Sequence, residues 1–253
     1  MVYFIGAGPG AVDLITVRGK QKLEEADVVI YAGSLVNPEL LTYTKSNCEI
    51  YNSAKMTLEE VIDVMVKAEK ENKMTVRLHT GDPCIYGAIR EQMDLLDGYD
   101  IEYTVVPGVS SFIGAASALK AEFTLPDVSQ TVILTRMAGR TPVPEKEDIE
   151  KLASHNATMV VFLTSTMLGE LSKRLIDGGY KEDTPAAIVY KATWPDEKVI
   201  ITTVKDIEKA ALDNDIHKMA LIMVGGFLGD RYSRSKLYDK YFTHEFREAV
   251  KCE

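Results

Sequence analysis

The chain has 253 residues, of which 46% are hydrophobic and 26% charged, and its formal net charge is −9. That length and balance suit a folded protein with a sizeable core, built as one large domain or two smaller ones. The acidic excess argues against nucleic acid or an anionic membrane as partner, although local basic clusters still permit an anionic small ligand.

The first β-rich run, residues 2–5, leads into Gly6-Ala7-Gly8-Pro9-Gly10-Ala11, which superficially satisfies G-x-G-x-x-A. A dinucleotide site also needs a helix opening at that turn, so that its free N–H groups meet the pyrophosphate. Here Asp13-Leu14-Ile15 intervene, and the next helix is expected only near Thr16. Pro9 removes one amide, and the second strand, residues 28–31, runs into Ala32-Gly33-Ser34 instead of a ribose-binding acid. The loop then reads either as a chain reversal or as the glycine wall of a ligand cleft at the strand C-termini.

Further on, Thr57 and Glu60 form a T-x-x-E capping box, with Leu58, Val61, Ile62 and Met65 on one helical face. The strand of residues 75–78 exits through His79 into Thr80-Gly81-Asp82-Pro83-Cys84-Ile85-Tyr86-Gly87. Two glycines permit close backbone approach and Pro83 sets a turn. Asp82 either caps a helix expected from near Tyr86 or receives donors from a ligand. His79 reads as a structural residue or a general base, Tyr86 as cleft lining or packing, and Cys84 as an apolar filler rather than a nucleophile. A third strand, residues 103–106, exits through Pro107-Gly108-Val109-Ser110-Ser111, which places a glycine and hydroxyls next to a helix N-terminus. Three such exits point at one shared cleft.

A small-residue helix ends near residue 119 and Pro126 interrupts the pattern, so a seam is expected over residues 119–129, dividing domains at 1–121 and 122–253. Strands follow at 131–135, 158–163, 186–190, 199–203 and 220–224, and a helix with Leu168, Leu171 and Leu175 on its stripe ends at Gly178-Gly179. Continuously apolar strands alternating with helices predict an α/β fold: two α/β domains with mainly parallel sheets and an active-site cleft between them. The last two strands, reached after Trp194-Pro195-Asp196-Glu197, suggest some antiparallel pairing, hence a mixed sheet in the C-terminal domain. Cys48, Cys84 and Cys252 form neither a disulfide framework nor a zinc spacing, which fits a reducing cytoplasm. No basic leader and no apolar run of membrane-spanning length is expected.

The three loops, in their order, resemble the tetrapyrrole (corrin/porphyrin) methylase family. The matching residues are Gly6-Ala7-Gly8-Pro9-Gly10, Gly81-Asp82-Pro83 with Tyr86-Gly87, Pro107-Gly108-Val109-Ser110-Ser111 and Met223-Val224-Gly225. Within it, Tyr31-Ala32-Gly33-Ser34, Leu125-Pro126-Asp127-Val128-Ser129, Thr135-Arg136-Met137-Ala138-Gly139-Arg140 and Ala192-Thr193-Trp194-Pro195 are similar to the members that methylate precorrin-4 at C-11. The resemblance implies C-methylation of precorrin-4 or its cobalt form on the route to cobalamin. It also implies S-adenosylmethionine as methyl donor, S-adenosylhomocysteine as product, and a homodimer. By motif position it assigns cofactor contacts to Pro9, Thr80, Gly81, Asp82, Ile85, Ser110, Ser111, Phe162, Leu163 and Ala192. Uroporphyrinogen-methylating relatives carry an Asp after the second-strand Tyr and a Gly-Lys-Arg further on. This chain has Ala32-Gly33 and Asn52-Ser53-Ala54 there, so their acid–base residues do not transfer and no catalytic residue is assigned.

Displacement at a sulfonium needs alignment and exclusion of water, with no metal and no protein nucleophile. A polycarboxylate substrate needs cations, for which Arg136, Arg140 and Lys120 are candidates against the alternative of solvated surface charge. Tyr86 is a further substrate-lining candidate, and Trp194 either stacks on a macrocycle or anchors a turn. The basic, aromatic stretch Arg231-Tyr232-Ser233-Arg234-Ser235-Lys236-Leu237-Tyr238 closes over substrate or packs across a dimer. The competing functions are another corrinoid-precursor C-methyltransferase of the same family, a dinucleotide-dependent oxidoreductase using Gly6 to Ala11, and a non-catalytic ligand-binding module.

Overall fold

A computed structural model describes residues 1–250, so Cys252 lies outside the described residues. Packing divides it into two units, Met1–Ala118 with Lys191–Glu197, and Leu119–Tyr190 with Lys198–Glu253. The short segment Lys191–Glu197, late in the sequence, thus belongs to the unit formed by the first half of the chain.

The first unit runs β1 (Val2–Gly6), α1 (Val17–Glu25), β2 (Val28–Tyr31), β3 (Glu49–Asn52), α2 (Leu58–Lys70), β4 (Thr75–His79), α3 (Arg90–Gly98), β5 (Tyr103–Val106) and α4 (Ser111–Leu119). Its sheet is parallel throughout, in the order β3-β2-β4-β1-β5. Strand alternation sends Val2, Phe4 and Ile30 to one face, against Val61, Ile62 and Met65 of α2 and Leu96 of α3. Ile5, Val29, Val76 and Leu78 face the other way, with Leu23 of α1. Helix α2 starts where the capping box places it, with Thr57 Oγ1 accepting from Glu60 N–H and the Glu60 carboxylate accepting from Thr57 N–H. Strand β3 is absent from the sequence expectations. It is a half-exposed edge strand of four residues paired only with β2, and its Glu-Ile-Tyr-Asn shows no apolar run.

The second unit comprises β6 (Val132–Arg136), α5 (Ile149–Ala153), β7 (Thr158–Phe162), α6 (Leu168–Asp177), β8 (Pro185–Tyr190), β9 (Lys198–Thr203), α7 (Ile207–Asp213) and β10 (Ala220–Val224). Its sheet is mixed, ordered β6-β7-β10-β8-β9. Strands β6 and β7 are parallel, whereas β10 lies antiparallel between β7 and β8, and β8 is antiparallel to β9. The antiparallel pairing expected of the last two strands is therefore present in the sheet, but those two strands are not neighbours. Leu168, Leu171 and Leu175 of α6 join Met159, Val161, Ile188 and Ile222 in one core. Every expected strand is present within one residue at either end, the usual scatter of strand boundaries.

Candidate active site

Parallel pairing in the order β4-β1-β5 sets the C-terminal ends of three adjacent strands side by side, and their exits meet backbone to backbone. Ala7 N–H donates to the His79 carbonyl at 2.7 Å, and Gly8 and Gly81 exchange N–H···O bonds of 3.2 and 2.9 Å. A Cβ on Gly6 would lie 2.5 Å from the Gly81 carbonyl oxygen and 2.6 Å from Gly108 Cα. Gly81 holds φ at +60°, and a Cβ there would sit 3.2 Å from Ser111 N. Glycine is required here because three main chains occupy space that side chains would otherwise take.

Asp82 fastens the second exit to the third. Its Oδ1 accepts from Cys84 N–H and its Oδ2 from Gly108 N–H, each at 2.8 Å. The helix expected from near Tyr86 starts instead at Arg90. Tyr86 at φ +55° and Ala88 at φ +48° are left-handed, which interrupts any helix begun at residue 82. Gly87 is confined between them, since a Cβ there would overlap the Pro83 carbonyl. Tyr86 is 47% exposed and Ile85 half-buried. Alongside, Thr80, Ser110 and Ser111 present hydroxyls with no hydrogen bond among the described residues, next to the first turn of α4.

The segment Lys191–Glu197 closes over the first glycine loop within the same unit. Trp194 Nε1 donates to the Pro9 carbonyl at 3.1 Å, and Thr193 Oγ1 accepts from Ala11 N–H at 3.0 Å. A Cβ on Gly10 would overlap the Trp194 ring, and one on Gly114 would lie 2.6 Å from Pro9 Cβ. Asn37, itself buried, donates from Nδ2 to the Gly10 carbonyl at 2.9 Å. The amides of residues 7, 8 and 11 are thus committed to protein acceptors, and α1 begins only at Val17, capped by Thr16. With three of its amides committed and no helix opening at its end, this loop lacks the features by which a dinucleotide fingerprint holds a pyrophosphate. Trp194 is a turn anchor. Ala192 is buried beside it, between Lys191 and Thr193, whose φ values are +47° and +69°.

His79 is 4% exposed, packed against Phe4, with Nε2 lacking any partner. Burial, reinforced by the nearby Arg77 cation, pushes its pKa down to about 3, so the ring is neutral at physiological pH. Desolvation and the adjacent Asp82 carboxylate hold the Cys84 thiol above its ordinary range, the reverse of an activated nucleophile.

The second unit carries the other assigned residues. Phe162 ends β7 nearly buried, and Leu163 follows at φ +52° with 66% exposure, an unusual setting for a leucine. The Arg136 guanidinium folds back on its own loop, donating to the carbonyls of Met137 and Thr141 at 3.2 Å and of Pro142 at 2.7 Å. Arg140 and Lys120 are exposed. Among the described residues no helix is long and apolar enough to cross a membrane. The hydrogen bonds of Asn37 to Gly10 and of Thr193 to Ala11 join residues far apart in the chain, so no local sequence signal announced them.

The model of the tetrapyrrole (corrin/porphyrin) methylases matches residues 1–208. A cobalt-precorrin-4 C(11)-methyltransferase of Methanocaldococcus jannaschii is 57% identical, over 99% of this chain and 97% of that protein. A solved cobalt precorrin-4 methyltransferase superposes with a TM-score of 0.89 at 51% identity, covering 90% of this chain and 96% of its own. A uroporphyrin-III C-methyltransferase of Thermus thermophilus, solved with S-adenyl homocysteine, shares the fold at TM-score 0.76 and 24% identity, over 90% of this chain and 98% of its own.

Proposed function

The chain belongs to the tetrapyrrole (corrin/porphyrin) methylase family, and from that premise we propose that it is the methyltransferase acting at C-11 of cobalt-precorrin-4, or of precorrin-4, in cobalamin biosynthesis. The observation carrying this reading is the 57% identity to the Methanocaldococcus enzyme over 99% of the chain. The cobalt form is preferred because that relative and the solved structure with 51% identity both carry cobalt-precorrin-4 in their names.

S-adenosylmethionine, when bound, supplies a methyl group on a sulfonium that is its own leaving group. The chain then has to hold, orient and keep dry. Supporting this, the neutral hydroxyls of Thr80, Ser110 and Ser111 lie beside the glycine junction without a hydrogen-bond partner among the described residues. The first turn of α4, at Ser111, favours the donor's carboxylate. Pro9, Gly81, Asp82, Ile85 and Ala192 shape the same region, Asp82 by pinning two loops, and Phe162 and Leu163 supply apolar surface. Against a net charge of −9, a polycarboxylate substrate needs a local cationic rim, proposed at Arg136 and Arg140 with Tyr86 as lining.

The test is to offer the protein S-adenosylmethionine with cobalt-precorrin-4 and, separately, cobalt-free precorrin-4. The expected product gains one methyl, located at C-11 by NMR, with faster turnover of the cobalt form. Methylation at another carbon, or none with either substrate, overturns the reading. We also propose a homodimer in a reducing cytoplasm. The family resemblance motivates the first and the free thiols of Cys48 and Cys84 the second. Light scattering at micromolar concentration should give twice the chain mass, and the mass of one chain would refute the dimer.

A further inference from the structure

Arg77 lies in the interior of β4, between β1 and β2, and is only 7% exposed. Among the described residues it has no acidic partner. Its Nε donates to Gln92 Oε1 and its Nη1 to the Ile30 carbonyl, both at 3.1 Å. Burial brings its pKa down to about 10, so it stays cationic at neutral pH. A buried charge without a counter-charge is costly, and a leucine or methionine would fill the position without that cost. Stability alone therefore does not explain the residue.

Its hydrogen bonds do. A guanidinium only donates, so Gln92 must turn its amide oxygen toward Arg77. That orientation aims Gln92 Nε2 at the Ala88 carbonyl, which it reaches at 2.9 Å. Gln92 is 5% exposed, so solvent does not compete for its amide. Ala88 and Tyr86 are the left-handed non-glycine residues of the second strand exit, at φ +48° and +55°. Such conformations persist only where surrounding structure over-determines them. At Ala88 the over-determining contact is this relay from the sheet interior through the first turn of α3.

We infer that Arg77 and Gln92 are positioning residues that hold residues 85–88 in the shape required to bind the methyl donor. This rests on the proposed function. Gln92→Glu keeps the size and the acceptor for Arg77 but loses the donor to Ala88. It should keep the wild-type melting temperature, weaken S-adenosylhomocysteine binding at least tenfold by calorimetry, and raise KM for the donor at least tenfold while kcat falls less than threefold. Ala88→Pro, at an exposed site, excludes positive φ while leaving the Arg77 and Gln92 side chains unaltered and should give the same split. If wild type binds and methylates while both variants match it, the relay is overturned and the function stands. The relay is likewise overturned if Ala88→Pro binds normally while Gln92→Glu merely melts early, since a purely structural role predicts that pattern. If wild type neither binds the nucleoside nor transfers a methyl, both fall together.

Discussion

Gly108→Ala is expected to lower stability by at least about 3 kcal/mol and to abolish S-adenosylhomocysteine binding. The new Cβ would overlap the Gly81 carbonyl and lie 2.7 Å from Gly6 Cα. Both obstacles are main chain, so no rotamer change relieves them. The Gly81 carbonyl also accepts from Gly8 N–H at 3.2 Å, and displacing it would break the bridge that joins the first two exits. A control sits in the same unit: a Cβ on Gly98, at the end of α3, meets nothing within 4 Å. Gly98→Ala should be neutral or slightly stabilising, by up to about 1 kcal/mol. Urea denaturation of the three proteins, with calorimetry of the bound nucleoside, decides the matter. An unchanged midpoint for Gly108→Ala would mean that the three loops do not share the space described.

Acid should weaken this fold through His79. The unfolded histidine titrates near 6.5, and burial with the neighbouring Arg77 lowers the folded value to about 3. Between those values the unfolded chain holds a proton that the folded protein lacks. Stability is therefore complete above about pH 6.5 and is lost as pH falls toward 3, by roughly 1.4 kcal/mol per unit. At pH 5 the loss is about 2 kcal/mol. His79→Leu removes this contribution and leaves the carboxylates titrating as before. The gap between urea midpoints at pH 7.5 and pH 5 should shrink accordingly in the variant. Equal gaps in both proteins would show that the ring is protonated without penalty.

The glycines, prolines and apolar runs that carry a parallel sheet are local signals, so the strands of residues 2–5, 75–78 and 103–106 and their exits were legible one by one. The order that makes the exits adjacent, β4-β1-β5, is a non-local pairing with no local signature. Edge strand β3 escaped because its alternating half-exposed residues look like loop. Asp82 could be narrowed to a cap or a ligand contact, but its second acceptor bond, to Gly108 26 positions away, is visible only in the fold. Arg136 was read as a rim cation; that its fork would first close on carbonyls five and six residues ahead depends on a loop shape that composition does not specify. Arg77 offers the plainest case, since a lone arginine in an apolar strand gives no hint of the amide that receives it.

The late segment that covers the first glycine loop also sets an order of events during synthesis. The Pro9 carbonyl receives its Trp194 partner across 185 positions of chain, although the rest of the first unit is complete at Ala118. A ribosome adding roughly 5–20 residues per second leaves this loop unroofed for several seconds, while the strands beneath it are already able to pair. A nascent chain stalled before Trp194, or a fragment cut after residue 118, carries an exposed Gly10 and an unmet carbonyl at Pro9. The first glycine loop therefore acquires its full set of contacts only after residue 194 has been translated.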